Sequence, residues 1–434
     1  MTSLSGKRQT LQQELTGATK RSGRLGFLRA YLLTGIASFG LAGSILFGPA
    51  LAQSDEIEVE VKGSASFVAG IVDGESKSDA DIRVGVTAST VLDNGLEVGG
   101  TVEARGDGQM PPAYWSGGRY SGLTSGGPRG IGNDGGDVYL QSAFAYARGG
   151  FGYVALGRDN GVASQLAIAS PTVFSAIGVN DWRTDLTGLN DVHTINDFSG
   201  HATKLTYMAP ANLFGGVLGG VQIGVSYSPS TDECGVGACA PVGGFAPSAL
   251  GAPSAAGLPA FAKWENIVET ALYYEKALGS DRDSPRLGLG ASYLSATEDA
   301  TDPSGLLDDY NAMTVGLNLA YKGVTVGGSV KNTNAGLDLP NSNYLAFDAG
   351  ITYETGPWGF MLGYGQADAN REGASPFDPN FYRETQSAQA GVSYALGRGV
   401  TIGAAAQFID SQKPNELGGD ENIAAVVFES SIKF

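Results

Sequence analysis

The sequence predicts an all-β fold, a 16-stranded antiparallel transmembrane β-barrel. Three observations carry the prediction. Apolar and polar residues alternate with a period of two from Ile57 onward, and no helical period competes over comparable lengths. The connections between these segments alternate between short and long. The last segment, Ile423 to Phe434, is an amphipathic strand that stops on an aromatic residue. Counting back from Phe434, Ile432, Ser430, Phe428, Val426 and Ala424 share one face, while Lys433, Ser431, Glu429, Val427 and Ala425 share the other.

The elements follow in chain order. Ala30 to Leu51 is the one continuous apolar segment. Lys7, Arg8, Lys20, Arg21, Arg24 and Arg29 precede it, and Pro49-Ala50-Leu51-Ala52 closes it before polar Gln53-Ser54-Asp55-Glu56. A basic region, an apolar stretch and an A-x-A end read as a cleaved secretory signal over residues 1–52. The competing reading is a membrane-anchoring helix, for which the segment is long enough. Residues 53–434 then form one domain. Removing the leader takes six of the 27 basic and one of the 44 acidic residues, and moves the net charge from −17 to −22. That balance argues against nucleic acid as a partner. No second apolar run of membrane-spanning length appears, so a membrane-embedded mature chain must be a closed barrel.

Strands are predicted at 56–72, 80–91, 96–106, 137–147, 151–158, 201–209, 220–228, 266–277, 286–297, 311–322, 324–332, 344–354, 357–368, 385–396, 399–410 and 423–434. Met313 to Lys322 is the clearest: Met313, Val315, Leu317, Leu319 and Tyr321 alternate with Thr314, Gly316, Asn318, Ala320 and Lys322. Most of the segments reach the length of about 9–11 residues that a tilted strand needs to cross a bilayer.

The short connections include Leu92-Asp-Asn-Gly95, Arg148-Gly-Gly150, Gly323, Thr355-Gly356 and Gly397-Arg-Gly399, built on residues that accept positive φ. The mostly longer, polar set is 107–136, 159–200, 229–265, 298–310, 333–343, 369–384 and 411–422. Tight turns gathered at one end and long loops at the other distinguish a membrane barrel from a soluble sandwich. Tyr207, Tyr227, Tyr274, Tyr293, Tyr321, Tyr353, Trp358, Tyr364 and Tyr394 lie near strand ends on the apolar face, which suits girdles at the membrane–water boundary.

With this pattern the chain resembles the sixteen-stranded general porins of Gram-negative outer membranes, particularly the alphaproteobacterial type. Three stretches carry the resemblance: Asp81-Ile-Arg-Val-Gly-Val with Leu92-Asp-Asn-Gly-Leu-Glu-Val-Gly-Gly100; Val138-Tyr-Leu with Gly150-Phe-Gly-Tyr-Val-Ala-Leu-Gly-Arg158; and the strand ending in Phe434. It implies a passive diffusion channel for small polar solutes, assembled as a homotrimer among outer-membrane lipid and lipopolysaccharide. It also implies that Phe434, Ile432 and Phe428 form the signal read by the outer-membrane assembly machinery. A third loop, 159–200, would fold into the barrel and narrow it. A substrate-specific porin with a binding track and an exported β-rich adhesin are the alternatives.

The residues point the same way. No nucleophile motif accompanies His193 or His201, the only two histidines, so catalysis is not expected. Loop 159–200 is far longer than an ordinary connection. It holds Val173, Phe174, Ile177, Val179, Leu186 and Leu189, enough to pack against something, and Asp181, Asp185, Asp191 and Asp197. Strand parity places Arg83, Arg105, Lys204 and Lys62 on the inward face, with Glu97 and Glu103. A basic wall across from an acidic loop would set a transverse field in the gap. The plainer alternative pairs Arg83 and Arg105 with Glu97 and Glu103. The loop motif of enterobacterial porins is absent, so carry-over rests on strand position alone. Cys234 and Cys239 are expected to form a local disulfide in an oxidising compartment. No cofactor and no structural metal are expected. The acids Glu298, Asp299, Asp302, Asp308 and Asp309 are either a surface attractive to Ca²⁺ or solvated charge, since their spacing is not that of an EF-hand.

Overall fold

The computed structural model describes residues 57–107, 137–180, 185–211, 213, 220–230, 264–279, 284–298, 308–334, 336, 338, 340–372, 381–412, 414–415 and 419–434. The strands are β1 (Glu58–Val72), β2 (Glu75–Val91), β3 (Glu97–Asp107), β4 (Asp137–Gly149), β5 (Gly152–Arg158), β6 (Thr203–Met208), β7 (Gly220–Ser230) and β8 (Trp264–Ala277). They continue as β9 (Arg286–Glu298), β10 (Tyr310–Tyr321), β11 (Val324–Thr333), β12 (Asn343–Thr355), β13 (Trp358–Arg371), β14 (Phe381–Gly397), β15 (Val400–Gln412) and β16 (Glu421–Lys433).

Each strand pairs antiparallel with its neighbours in sequence, and β1 pairs with β16 to close the barrel. The closing register runs from Ser64 opposite Lys433 to Val72 opposite Ala425. Beyond it, Gly63 and Phe434 exchange two backbone hydrogen bonds of 2.8 and 3.0 Å. The aromatic terminus therefore completes the ladder, and no sheet edge remains for lipid to meet. The Phe434 ring lies directly over Gly63, where a Cβ would fall 2.3 Å from its tip.

The accessible surface is inverted relative to a water-soluble protein. Leu317, Leu362 and Phe428 are 46, 59 and 56 % exposed, whereas inward Thr314 and Lys331 are 3 and 0 % exposed. This is the alternation a lipid-embedded barrel requires, apolar outside and polar within. Leu317 and Asn318 point to opposite faces, as their alternation predicts.

One boundary differs from the sequence reading. Residues 73–79 were expected as a connection, but Asp73 and Gly74 (φ 49 and 83°) make a two-residue turn and β2 starts at Glu75. The segment Glu75 to Asp79 has no apolar alternation because it lies at the loop end of the strand. Backbone pairing with β1, Val72 to Glu75 and Gly70 to Lys77, extends the ladder without it. Lys322-Gly323 and Arg398-Gly399 also carry positive φ, at the opposite end of the barrel.

The interior holds the long loop between β5 and β6. It opens with a short helix, α1 (Val162–Gln165). Its apolar residues enter three buried clusters. Val192 and Phe198 join Trp264, Ile267, Leu294, Tyr310 and Tyr344. Val173, Phe174, Ile177 and Leu186 join Val68, Val72, Met361 and Val427. Val162 and Leu166 join Met208 and Ala271. Phe198 stacks on Tyr310 with centroids 3.9 Å apart, and Trp264 meets it edge-on at 5.2 Å. The wall is cut away to admit the loop: a Cβ on Gly391 or Gly403 would come within 2.6 and 2.5 Å of the Phe174 ring.

Candidate functional site

The loop is held against the wall by polar side chains that project inward from five strands. Each meets a backbone group of the loop, whose buried N–H and C=O groups need partners. On β8, Glu269 accepts from the Ala163 amide at 3.1 Å and from the hydroxyls of Ser199 and Ser226. On β11, Lys331 Nζ donates to the Ile195 carbonyl at 2.9 Å. On β12, Tyr344 donates to the Asp191 carbonyl at 2.6 Å and accepts from the His193 amide at 2.9 Å.

Two β-strand carboxylates dominate. Asp348 on β12 accepts from the Ser170 amide (3.0 Å), Thr194 Oγ1 (2.7 Å), Asn180 Nδ2 and both the amide and hydroxyl of Ser329. Glu429 on β16 accepts from three consecutive amides, Ser175, Ala176 and Ile177, at 2.7, 2.9 and 3.1 Å. Such a run of amides forms a concave anion seat. On β14, Arg383 donates to the Leu189 carbonyl at 2.9 Å and to Ser411 Oγ at 3.1 Å.

These anchors and clusters fall on β6 to β16 and the upper part of β1. The inward faces of β2 and β3 keep partial exposure at Gly85, Thr87, Ser89, Thr101 and Glu103, and that of β4 at Phe144 and Tyr146. The passage through the barrel therefore has the loop on one side and β2 to β4 on the other.

The expected basic wall is corrected in several respects. Arg83 and Arg105 sit directly opposite each other on β2 and β3, both facing in. Their shared partner is Asp81, not Glu97 or Glu103: Arg105 reaches its two oxygens at 2.8 and 2.9 Å, and Arg83 Nη2 lies 2.8 Å from Oδ2. Arg105 is 2 % exposed, so its charge is spent inside this cluster, while Arg83 keeps a third of its side-chain surface exposed. Lys62 faces in and pairs with Glu60 at 2.8 Å, with both side chains about half exposed. Lys204 does not line the passage. It is buried beneath the two ends of the loop, where Nζ donates to the carbonyls of Asp159, Gly200 and Ala202.

The acidic loop is corrected likewise. Asp185 is buried and folds back on its own loop, accepting from the Thr187 amide and hydroxyl and the Asn190 amide at 2.7–2.9 Å. Burial raises its pKa against those bonds, which favour the charged form. Asp191 is buried 3.8 Å from Arg383. Asp197 alone of the described three remains partly exposed, hydrogen-bonded to His193 Nε2 at 2.7 Å. Asp181, Cys234, Cys239, Asp299 and Asp302 lie outside the described residues. Asp308 and Asp309 bond backbone amides of their own loop, and no cluster of carboxylates suited to a metal occurs among the described residues. Among described side chains, the inward face of β1 to β4 carries five bases (Lys62, Lys77, Arg83, Arg105, Arg148). It carries seven acids (Glu58, Glu60, Glu75, Asp79, Asp81, Glu97, Glu103). The wall is mixed and net acidic.

The sequence matches the Gram-negative porins over residues 40–414. The chain belongs to that family. Solved porins share the fold at low identity. OmpF of Salmonella typhi, in complex with daunomycin, is 15 % identical with a TM-score of 0.54, covering 87 % of this chain and 97 % of its own. An anion-selective porin from Comamonas acidovorans is 15 % identical with a TM-score of 0.52, covering 87 and 100 %. OmpT of Vibrio cholerae, an outer membrane protein in a trimer form, is 12 % identical with a TM-score of 0.50, covering 88 and 100 %. No curated protein matches the chain. As a porin with a closed barrel, this protein is an outer-membrane channel.

The sequence reading missed every anchor of the loop. Glu269, Lys331, Asp348, Arg383 and Glu429 each stand out as a charge on the inward face of a strand. Parity alone marks them, but nothing local says that their partners are loop amides and carbonyls far away in the chain.

Proposed function

We propose that this porin is a passive diffusion channel for small hydrophilic solutes, with a preference for cations and no catalytic step. The observation that carries the reading is the seated loop. It occupies one side of the lumen through buried anchors and leaves the inward faces of β2 to β4 beside the passage. Both sides then present more acid than base: without buried Asp79 and Arg105, six acids against four bases on the inward face of β1 to β4, and Asp159 and Asp197 as the partly exposed charges of the described loop. Charged side chains lining a narrow aqueous path set ion preference. The export signal at 1–52, the homotrimer and contact with lipopolysaccharide accompany this reading; the trimer form of OmpT supports the second of these.

Purified protein in a planar bilayer under a tenfold KCl gradient tests it. The expected reversal potential has the sign of a cation preference and lies between zero and the ideal limit of ~59 mV for a monovalent ion. A potential of anion sign overturns the selectivity, and absence of conductance overturns the channel.

A further inference from the structure

We propose that the inner wall of β4 and β5 carries a binding shelf for pyranose sugars, built from Phe144, Tyr146 and Tyr153, with the Arg148 guanidinium over the two tyrosine rings and Glu97 at the edge. The proposal rests on the channel reading and gives its path a substrate class.

The strand register brings these groups together. Phe144, Tyr146 and Arg148 stand opposite Thr101, Gly99 and Glu97 of β3, and so face inward. Tyr153 stands opposite Arg148 on the other side. Three rings thus follow one another along the wall, with centroids 6.4 Å apart from Phe144 to Tyr146 and 5.6 Å from Tyr146 to Tyr153. The interior of an aqueous barrel is ordinarily polar. A row of aromatic rings there departs from that rule.

Packing does not account for the whole row. Tyr153 rests on the Val162, Leu166 and Met208 cluster. Phe144 and Tyr146 enter none of the three buried clusters and are partly exposed. The Tyr146 ring lies against the backbone of Gly99, where a Cβ would come within 2.8 Å of it. The glycine lets the ring settle on the wall, and the ring stays partly exposed beside Arg148 and Tyr153.

The surrounding groups hold the shelf and border it with hydrogen-bonding capacity. Tyr146 donates to Glu97 Oε1 at 2.8 Å. Arg148 lies 3.6 Å from Glu97, with its guanidinium carbon 5.7 and 5.5 Å from the centroids of Tyr146 and Tyr153. Thr101, beside Phe144, shares a 2.9 Å hydroxyl contact with Thr87. A pyranose ring has a C–H face and an edge of hydroxyls. It would cover the aromatic surface with the first and meet carboxylate, guanidinium and threonine with the second. An inorganic ion would leave the rings unused, and an apolar compound would leave the edge groups unpaired.

The test measures ion-current block by maltotriose in single channels, with open-chain sorbitol as the control. Wild type should show concentration-dependent block by maltotriose and none by sorbitol at equal concentration. Tyr146→Ala and Phe144→Leu should each weaken block by about fivefold to tenfold, the size of one lost ring contact, with sugar-free conductance near that of wild type. Tyr146→Leu serves if the alanine variant does not assemble. Equal effects of the two polyols, no block by maltotriose, or block unchanged in the variants would overturn the shelf. Sugar-free conductance reports separately on the channel itself.

Discussion

Asp348→Ala is expected to raise single-channel conductance severalfold. Asp348 is 3 % exposed and accepts from Ser170 and Thr194 at 3.0 and 2.7 Å, and from Asn180. Removing it leaves the Ser170 amide without its acceptor and takes one partner each from Asn180 and Thr194, which keep only their contact with each other and that of Thr194 with Ser329. Each unsatisfied buried donor costs about 1–3 kcal/mol, so the loop loses more than any one contact could restore. The hydroxyl and amide of Ser329, also bound to Asp348, lose their acceptor too. The barrel ladder itself is untouched, since Asp348 contributes to it through backbone. The loop segment 170–194 should leave the wall and stop narrowing the lumen. Asp348→Asn keeps one acceptor oxygen and should fall between the variant and wild type. Bilayer recordings decide the matter: an unchanged conductance in Asp348→Ala would mean that this carboxylate does not seat the loop.

Arg105→Ala should destabilise the barrel while Arg83→Ala should not, although the two arginines are cross-strand neighbours on the same face. Arg105 is buried and engages both oxygens of Asp81. Its loss leaves a partly buried carboxylate with one remaining guanidinium, at a cost on the order of 3 kcal/mol. Arg83 is a third exposed, and water can take its place at Asp81. The temperature at which the folded band is lost on electrophoresis should therefore drop in Arg105→Ala and hold in Arg83→Ala. The electrical effects should be reversed: Arg83→Glu should move the reversal potential toward cations with the fold intact. Equal thermal loss in both variants would contradict the division of roles.

Sixteen strands and their directions were legible because each is a local, two-residue pattern that lipid makes unusually clean. Met313 to Tyr321 alternates without interruption, and the structure follows it. Segment 75–79 was not legible, because outside the apolar band a strand has no need to alternate and only its partner β1 reveals it. The site was half legible. Parity correctly turned Arg83, Arg105, Lys62 and Lys204 inward. It said nothing of depth or cover, so it could not separate exposed Arg83 from Lys204 beneath the loop ends. The loop acids misled for a related reason. Asp185 reads as a free charge in sequence, yet the pattern Asp185-Leu-Thr187 places a side-chain oxygen where its own loop amides need one. The Asp81-Ile-Arg83 spacing did carry a usable signal, since residues two apart share a face.

The most direct test of the central claim, a passage bounded by the seated loop and β2 to β4, uses single cysteines in a background lacking Cys234 and Cys239. A charged, membrane-impermeant thiol reagent is added during bilayer recording of Thr87→Cys and Leu317→Cys. Thr87→Cys should show a stepwise fall in conductance as the lumen takes up the adduct, and Leu317→Cys should show none. A fall for Leu317→Cys, or an unaltered current for Thr87→Cys, would contradict it.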